Sequence, residues 1–294
     1  MQIIDAPSLA ALTTLRLGGR AIALVRPEER KDLDDLARTL EKLGGMPFML
    51  GRGSNLLAKD GALPLVLVRP PLWQPPAIIG KTDDERILVR ADSATPLPRL
   101  LAWSAKRGLA GLENLTGIPG EVGGALRMNA GSYGSSFCDV VAAAELFSKT
   151  TGVRLIARDA MQPGYRHTVL PGDEEPQLIL SVTLALKPER PEMIRLIMRE
   201  RMRRKEATQP IRAWSAGCAF ANPEGDSAGR LLDSLGYRGK QFGGMAFSEK
   251  HANFLINTGS GTAAQAFELL DEAREAVRQA YQINLRFEVK VLPC

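Results

Sequence analysis

The chain has 294 residues, 45% of them apolar and 24% charged, and carries a net charge of +5. That length holds two or three compact units with separate cores, and the balance is ordinary for a globular protein. No apolar run approaches the roughly 18 residues that suggest a membrane helix, so no membrane partner is expected. The N-terminus, MQIIDAPSLAALTTLRLGG, lacks the basic start, apolar stretch and cleavage site of a secretory signal, which points to a cytoplasmic protein. Cys138, Cys218 and Cys294 are far apart and form no CxxC. With only His167 and His251 beside them, they argue against a structural zinc site and against a disulfide framework.

Along the chain, residues 28–44, EERKDLDDLARTLEKLG, place Leu33, Leu36, Leu40 and Leu43 at helical spacing before a glycine stop. PFMLGRGSNLL reads as a short buried strand running into a glycine turn. LPLVLVRP and ERILVRAD read as further strands, separated by the proline-rich PPLWQPPAIIG. LPRLLAWSAKRGL is a second amphipathic helix, and LILSVTLALKP a strand that marks a boundary. After it come a long helix, PEMIRLIMRERMRRKEA, and two more, SAGRLLDSLGY and TAAQAFELLDEAREAVRQAYQ, the last with Thr262 as N-cap. INLRFEVKVL closes the chain as a strand. The mixture, without repeats or low-complexity tracts, indicates an α+β enzyme of several small domains.

Much of the excess charge sits in RERMRRK, residues 199–205. Nucleic-acid binding would pair such a patch with exposed aromatics, and aromatics are 5% of the chain, so no nucleic-acid partner is expected. Either a solvated helix end or a site for phosphate-bearing small molecules fits the patch.

Two glycine-rich stretches carry the strongest signal. One is LGRGSNLLAKDG, residues 50–61; the other is GLENLTGIPGEVGGALRMNAGSYG, residues 111–134. Glycine lets the backbone take positive φ and lets N–H groups converge on an anion. A single cluster reads most simply as tight turns. Neither is a Rossmann fingerprint, and there is no GxxxxGK[ST] P-loop. Spacing alone therefore supports a nucleotide or dinucleotide held by glycine loops, and goes no further.

The segments LTTLRLGGRA, LGRGSNLLAKDG, GLAGLENLTGIPGEVGGALRMNAGSYG, SAGCAFANP, SEKHANFLIN and INLRFEVKVL follow one another as they do in UDP-N-acetylenolpyruvoylglucosamine reductases. The chain resembles that family from Thr13 to about Leu292, and SEKHANFLIN resembles its shorter class, with a compact substrate domain. The resemblance implies a vanillyl-alcohol-oxidase-type FAD-binding fold of two subdomains, residues 1–70 and 71–205, with the C-terminal strand 283–294 returning to the second. Residues 206–282 would form a small α+β substrate domain. It implies non-covalent FAD, NADPH as reductant and a UDP-sugar substrate, in a monomer that reduces an enolpyruvyl ether for peptidoglycan precursor synthesis.

Residue by residue, the resemblance places the FAD pyrophosphate on Gly51, Arg52, Gly53, Ser54 and Asn55. Gly117, Ile118, Gly120, Gly123 and Gly124, with Asn129, Ala130 and Gly131, would line the rest of the cofactor. Arg166 matches the family's charge-stabilising arginine, with Tyr165 beside it as a packing and substrate contact. Glu288 matches its C-terminal acid, and Asn222 its diphosphate contact. At Cys218 the family usually has serine as proton donor to the α carbon; a thiol, with reference pKa about 8.5, is the stronger acid and keeps the role chemically possible. The plain alternatives are a surface arginine, a solvated glutamate and a buried cysteine acting as a small hydrophobe. Ser215 would belong to a turn. Ala221 departs from a common family lysine, leaving Arg203, Arg204 or Lys205 as candidate replacements. His251 would hold a loop and His167 could orient Arg166; no metal site is implied. The competing functions are another FAD oxidoreductase of this fold, such as an oxidase, and a catalytically silent flavin- or nucleotide-binding protein.

Overall fold

The computed structural model describes residues 1–293; Cys294, the last residue of the expected C-terminal segment, lies outside the described residues. Two compact units emerge. The first comprises Met1–Asp5, Ala23–Gly51 and Val66–Arg203, the second Ala6–Ile22, Arg52–Leu65 and Arg204 onward.

The first unit contains two large sheets and two two-stranded ones. A four-stranded sheet runs in the order Gln2–Asp5, Ala23–Arg26, Leu65–Val68, Met46–Met49, with the central pair parallel. The helix Leu33–Leu43 is the one its leucine spacing predicts; it buries Leu33 and Leu36 and stops at Gly44, where φ is +67°. The second sheet has the order Gly152–Ala157, Val141–Ser148, Leu178–Pro188, Ile87–Asp92, Ala77–Lys81, with Leu109–Ala110 added at one end of the long strand. The strand Leu178–Pro188 serves both cores. Its register against Val141–Ser148 jumps between Ser181↔Glu145 and Ile179↔Leu146, leaving Leu180 as an extra residue. That bulge changes the alternation, so Leu178 and Leu180 pack with Val25, Val66 and Val68. Ile179, Val182 and Leu184 pack with Leu100, Leu126 and Phe137 under the helices Leu97–Lys106 and Val122–Arg127. Ala77–Lys81, which begins within the proline-rich stretch read as a separator and runs one residue past it, is an exposed edge strand.

The second unit is built on a four-stranded antiparallel sheet in the order Trp214–Cys218, Phe254–Asn257, Met245–Phe247, Gln241–Phe242. The helices Ala228–Ser234 and Ala263–Tyr281 cover one face, burying Leu231, Leu232, Leu269 and Leu270 against Ala216, Phe247 and Leu255. Thr262 caps the longer helix through a capping box with Gln265, as its position predicts. INLRFEVKVL, expected as one strand returning to the second flavin subdomain, is regular only over Lys290–Leu292. It pairs in parallel with Leu56–Ala58 of the second unit instead. Among the described residues no helix is long and apolar enough to cross a membrane, and no group of three or more His, Cys, Asp or Glu side chains could hold a metal.

Candidate active site

In the first unit the glycine run 117–131 is stitched to the turn that follows the strand Ile87–Asp92. Val122 and Gly123 donate their N–H groups to Thr95 and Ser93 carbonyls, and Leu97 donates to Gly120. At Gly123 the approach is close enough that a Cβ would lie 1.9 Å from Ser93 Oγ. Gly120 takes φ +116°, a region that glycine alone enters without strain. Gly124, by contrast, faces open space, with nothing within 4 Å of where its Cβ would stand. Beside this run the Thr95 hydroxyl is buried without a hydrogen-bond partner. An unpartnered buried hydroxyl costs on the order of 1–3 kcal/mol, so a glycine-lined cradle next to one suits a polar, extended ligand such as a dinucleotide. Ile118 and Ala130 pack against the core behind it.

Asn129 ties this loop to the hairpin Gln162–Gly164/His167–Val169. Its Oδ1 accepts from Cys138 N–H at 3.1 Å, and its Nδ2 donates to the Gly164 carbonyl at 3.0 Å. Arg166 sits in the hairpin's two-residue turn at φ +61°. A non-glycine residue there is strained, and the strain is sustained because its Nη1 donates to the Gly131 carbonyl at 3.0 Å. Its guanidinium lies 5.0 Å from the exposed Tyr165 ring. Asn129, Gly131, Tyr165 and Arg166 are thus brought together. His167 contacts the Tyr165 carbonyl at 3.1 Å and not Arg166. In the other glycine stretch, residues 50–61, the carbonyl of Gly51 accepts from Arg69.

The second unit gathers Cys218, Glu288, Asn55 and Asn222. Cys218 ends the strand Trp214–Cys218 and pairs with Phe254, after a register break at Gly217, where φ is +83°. Ser215 closes that break by accepting the Gly217 N–H at 3.1 Å, the part of a turn residue. The Cys218 side chain is half-buried, whereas Cys138 is buried and burial pushes its thiol up. The next residue, Ala219, accepts the Glu288 N–H at 2.9 Å, and Phe220 bridges Phe287 with their rings stacked 5.4 Å apart. From the glycine turn, the Asn55 amide donates to the Glu288 carbonyl at 3.1 Å, and Lys290 N–H donates back to the Asn55 carbonyl at 2.9 Å. Gly53, at φ +66°, approaches so near that a Cβ would lie 2.5 Å from the Leu12 carbonyl. Arg52 is exposed and Ser54 half-buried.

Asn222 is exposed, and its Oδ1 accepts the Ala228 N–H at the start of a helix. That contact uses the oxygen; the NH₂ end is the donor a phosphate requires. Of the cations offered as replacements near Ala221, Lys205 is buried and Arg203 and Arg204 are exposed. His251 accepts the Asn253 N–H at 3.2 Å on Nδ1; burial, then the neighbouring Arg238, hold its pKa below the usual histidine value. Two residues escaped the sequence reading. Thr95 lies outside both glycine stretches. Asn253 sits inside SEKHANFLIN, but nothing in that motif distinguishes it from a loop asparagine.

Residues 21–155 match the FAD binding domain family, and residues 209–292 match the C-terminal domain of UDP-N-acetylenolpyruvoylglucosamine reductase. The UDP-N-acetylenolpyruvoylglucosamine reductase of Nitratidesulfovibrio vulgaris is 49% identical over 293 residues, covering 99% of each chain. That of Oleidesulfovibrio alaskensis is 46% identical, over 99% of this chain and 98% of its own. The crystal structure of UDP-N-acetylenolpyruvylglucosamine reductase from Thermus caldophilus shares the α+β fold with a TM-score of 0.84. It is 33% identical, and the match covers 100% of both chains. The chain belongs to the UDP-N-acetylenolpyruvoylglucosamine reductase family.

Proposed function

We propose that the protein is the NADPH-dependent flavoenzyme that reduces the enolpyruvyl ether of UDP-N-acetylglucosamine to UDP-N-acetylmuramate, with Cys218 as its proton donor. The observation that carries the second part is the ladder bond between Glu288 and Ala219, which holds the acid strand against the residue next to Cys218. FAD, when bound and reduced by NADPH, supplies the hydride that adds to the vinyl carbon. The electron pair of the double bond is left on the α carbon, beside the carboxylate. Arg166, permanently charged and able to fork onto a carboxylate, stabilises that charge. Glu288, carrying a proton, donates a hydrogen bond to the same group, and the Cys218 thiol transfers its proton to the α carbon. One hydride and one proton have then been added, and the thiolate regains its proton from solvent.

Gly51–Asn55, Gly117–Gly124 and Asn129–Gly131 hold the cofactor without a covalent link. Neither histidine lies in a glycine loop, and Cys138 lies past the second. The subdomains at 1–70 and 71–205 serve the flavin and residues 206–282 the UDP-sugar, in line with the family matches at 21–155 and 209–292. Asn222 and Tyr165 contact the substrate. On this reading the enzyme works as a cytoplasmic monomer in peptidoglycan precursor synthesis.

The test is product formation in deuterium oxide. Purified enzyme, NADPH and the enolpyruvyl UDP-sugar should give UDP-N-acetylmuramate carrying one solvent deuterium at the α carbon, read by mass spectrometry. NADPH consumption with oxygen alone, and no new UDP-sugar, would mark an oxidase-like flavoprotein instead.

A further inference from the structure

We propose that Asn253 is the positioning residue for proton delivery: its carboxamide stands in for a strand backbone and fixes the Cys218 segment against the Glu288 segment. The proposal rests on the roles given above to Cys218 and Glu288.

Asn253 is 1% exposed. Its Oδ1 accepts the Phe220 N–H at 3.0 Å and its Nδ2 donates to the Phe220 carbonyl at 2.8 Å. Its own main-chain carbonyl accepts the Ala219 N–H at 2.8 Å. The regular ladder between the strands Trp214–Cys218 and Phe254–Asn257 ends at Cys218↔Phe254. Just beyond that point, one side chain provides the donor and the acceptor that a paired residue's backbone would have provided. On the opposite edge of the same two residues, Ala219 accepts the Glu288 N–H, and Phe220 bridges Phe287. Residues 219–220 are therefore gripped between Asn253 and the Glu288 strand, immediately after the proton donor.

The chemistry of the grip is specific. A neutral carboxamide donates and accepts at the same reach; an aspartate of equal size only accepts, and would set a carboxylate oxygen against the Phe220 carbonyl. The Asn253 backbone is itself oriented by its N–H bond to His251 Nδ1 at 3.2 Å. Asn253 touches neither substrate nor cofactor in this account. It acts through Ala219 and Phe220, so its loss should affect the step that needs the thiol proton and leave hydride uptake from NADPH alone.

The experiment follows the two half-reactions separately under anaerobic stopped flow, on full-length FAD-loaded protein: wild type, Asn253→Asp and Asn253→Ala. NADPH should bleach the flavin in the Asp variant within about two-fold of the wild-type rate. Return of the flavin colour on adding the enolpyruvyl UDP-sugar should slow by about ten-fold or more, with a larger solvent deuterium isotope effect as proton transfer becomes rate-limiting. Wild-type rates of colour return would overturn the positioning role. Parallel slowing of both half-reactions with an unchanged isotope effect would overturn it too, since a structural residue behaves that way. If Asn253→Ala does not fold, the isosteric Asp variant decides alone. Failure of the wild type itself to regain colour would instead overturn the functional reading beneath the proposal.

Discussion

The backbone N–H of Glu288 donates to the carbonyl of Ala219 at 2.9 Å, and Ala219 directly follows Cys218. One peptide link and one ladder bond thus separate the acid from the thiol, far apart as they are in sequence. Phe220, wholly buried and stacked on Phe287, backs this junction. Phe220→Ala should cost about 3–5 kcal/mol of stability, measured by urea unfolding of the flavin-loaded protein. A loss well under 1 kcal/mol would show that the stack does not hold the strands together.

Glu288 should matter for chemistry more than for stability. Its backbone makes the ladder bonds, so Glu288→Gln keeps the Ala219 and Asn55 contacts. Substrate-driven turnover is expected to fall by about 10²–10⁴-fold with little change in the thermal midpoint. Normal turnover would remove Glu288 from the mechanism.

The two described thiols should react very differently. Cys218 is half-buried, while Cys138 is buried, with burial pushing its thiol up and Thr168 3.4 Å away. Iodoacetamide should modify Cys218, inactivate the enzyme and be slowed by substrate, with peptide mass mapping to locate the label. Full activity after stoichiometric labelling of Cys218 would count against its role as donor.

Arg166 is held in a strained turn by its bond to the Gly131 carbonyl, and a Cβ at Gly131 would lie 3.2 Å from Arg166 Nη1. Arg166→Lys keeps the charge and loses the planar fork, so kcat should fall by about 10²–10³-fold. Gly131→Ala should lower kcat in the same direction by displacing the guanidinium, with less effect on the melting temperature. Unchanged kinetics in both variants would place Arg166 outside the reaction.

His251 gives the stability a pH signature. Burial, followed by the Arg238 charge, lowers its pKa in the fold, while Asp233 pulls weakly the other way. The unfolded chain therefore binds the proton more tightly. Stability attributable to this site should be complete above the unfolded histidine value of about 6.5 and decline as pH falls toward the depressed folded value. His251→Gln should flatten that slope in denaturant titrations run across this range. An unaltered slope would assign the acid sensitivity to other groups.

The helices were readable because their signals are local. Leucine spacing predicts the helix at 33–43, and Thr262 with Gln265 announces the start of the one at 263–281. The glycine run announces positive φ and tight turns, and Gly117, Gly120 and Gly134 take φ of +83°, +116° and +77°. Long-range pairing was not readable. INLRFEVKVL alternates like one strand, yet Arg286 and Glu288 bond to Ala221 and Ala219 while only Lys290–Leu292 joins Leu56–Ala58. The alanine-rich strand Val141–Ser148 has a weak periodic signal and is fixed by its partners on both sides. Asn253 is hidden for a related reason: a carboxamide that imitates backbone looks, in sequence, like any polar loop residue.

One comparison decides whether Cys218 gives the α carbon its proton. Wild type, Cys218→Ser and Cys218→Ala are bleached anaerobically with NADPH and then mixed with the enolpyruvyl UDP-sugar while the flavin absorbance is followed. Colour should return rapidly in wild type and in the serine variant, and about 10²–10⁴-fold more slowly in the alanine variant. An alanine variant that regains its colour at the wild-type rate would contradict the donor role.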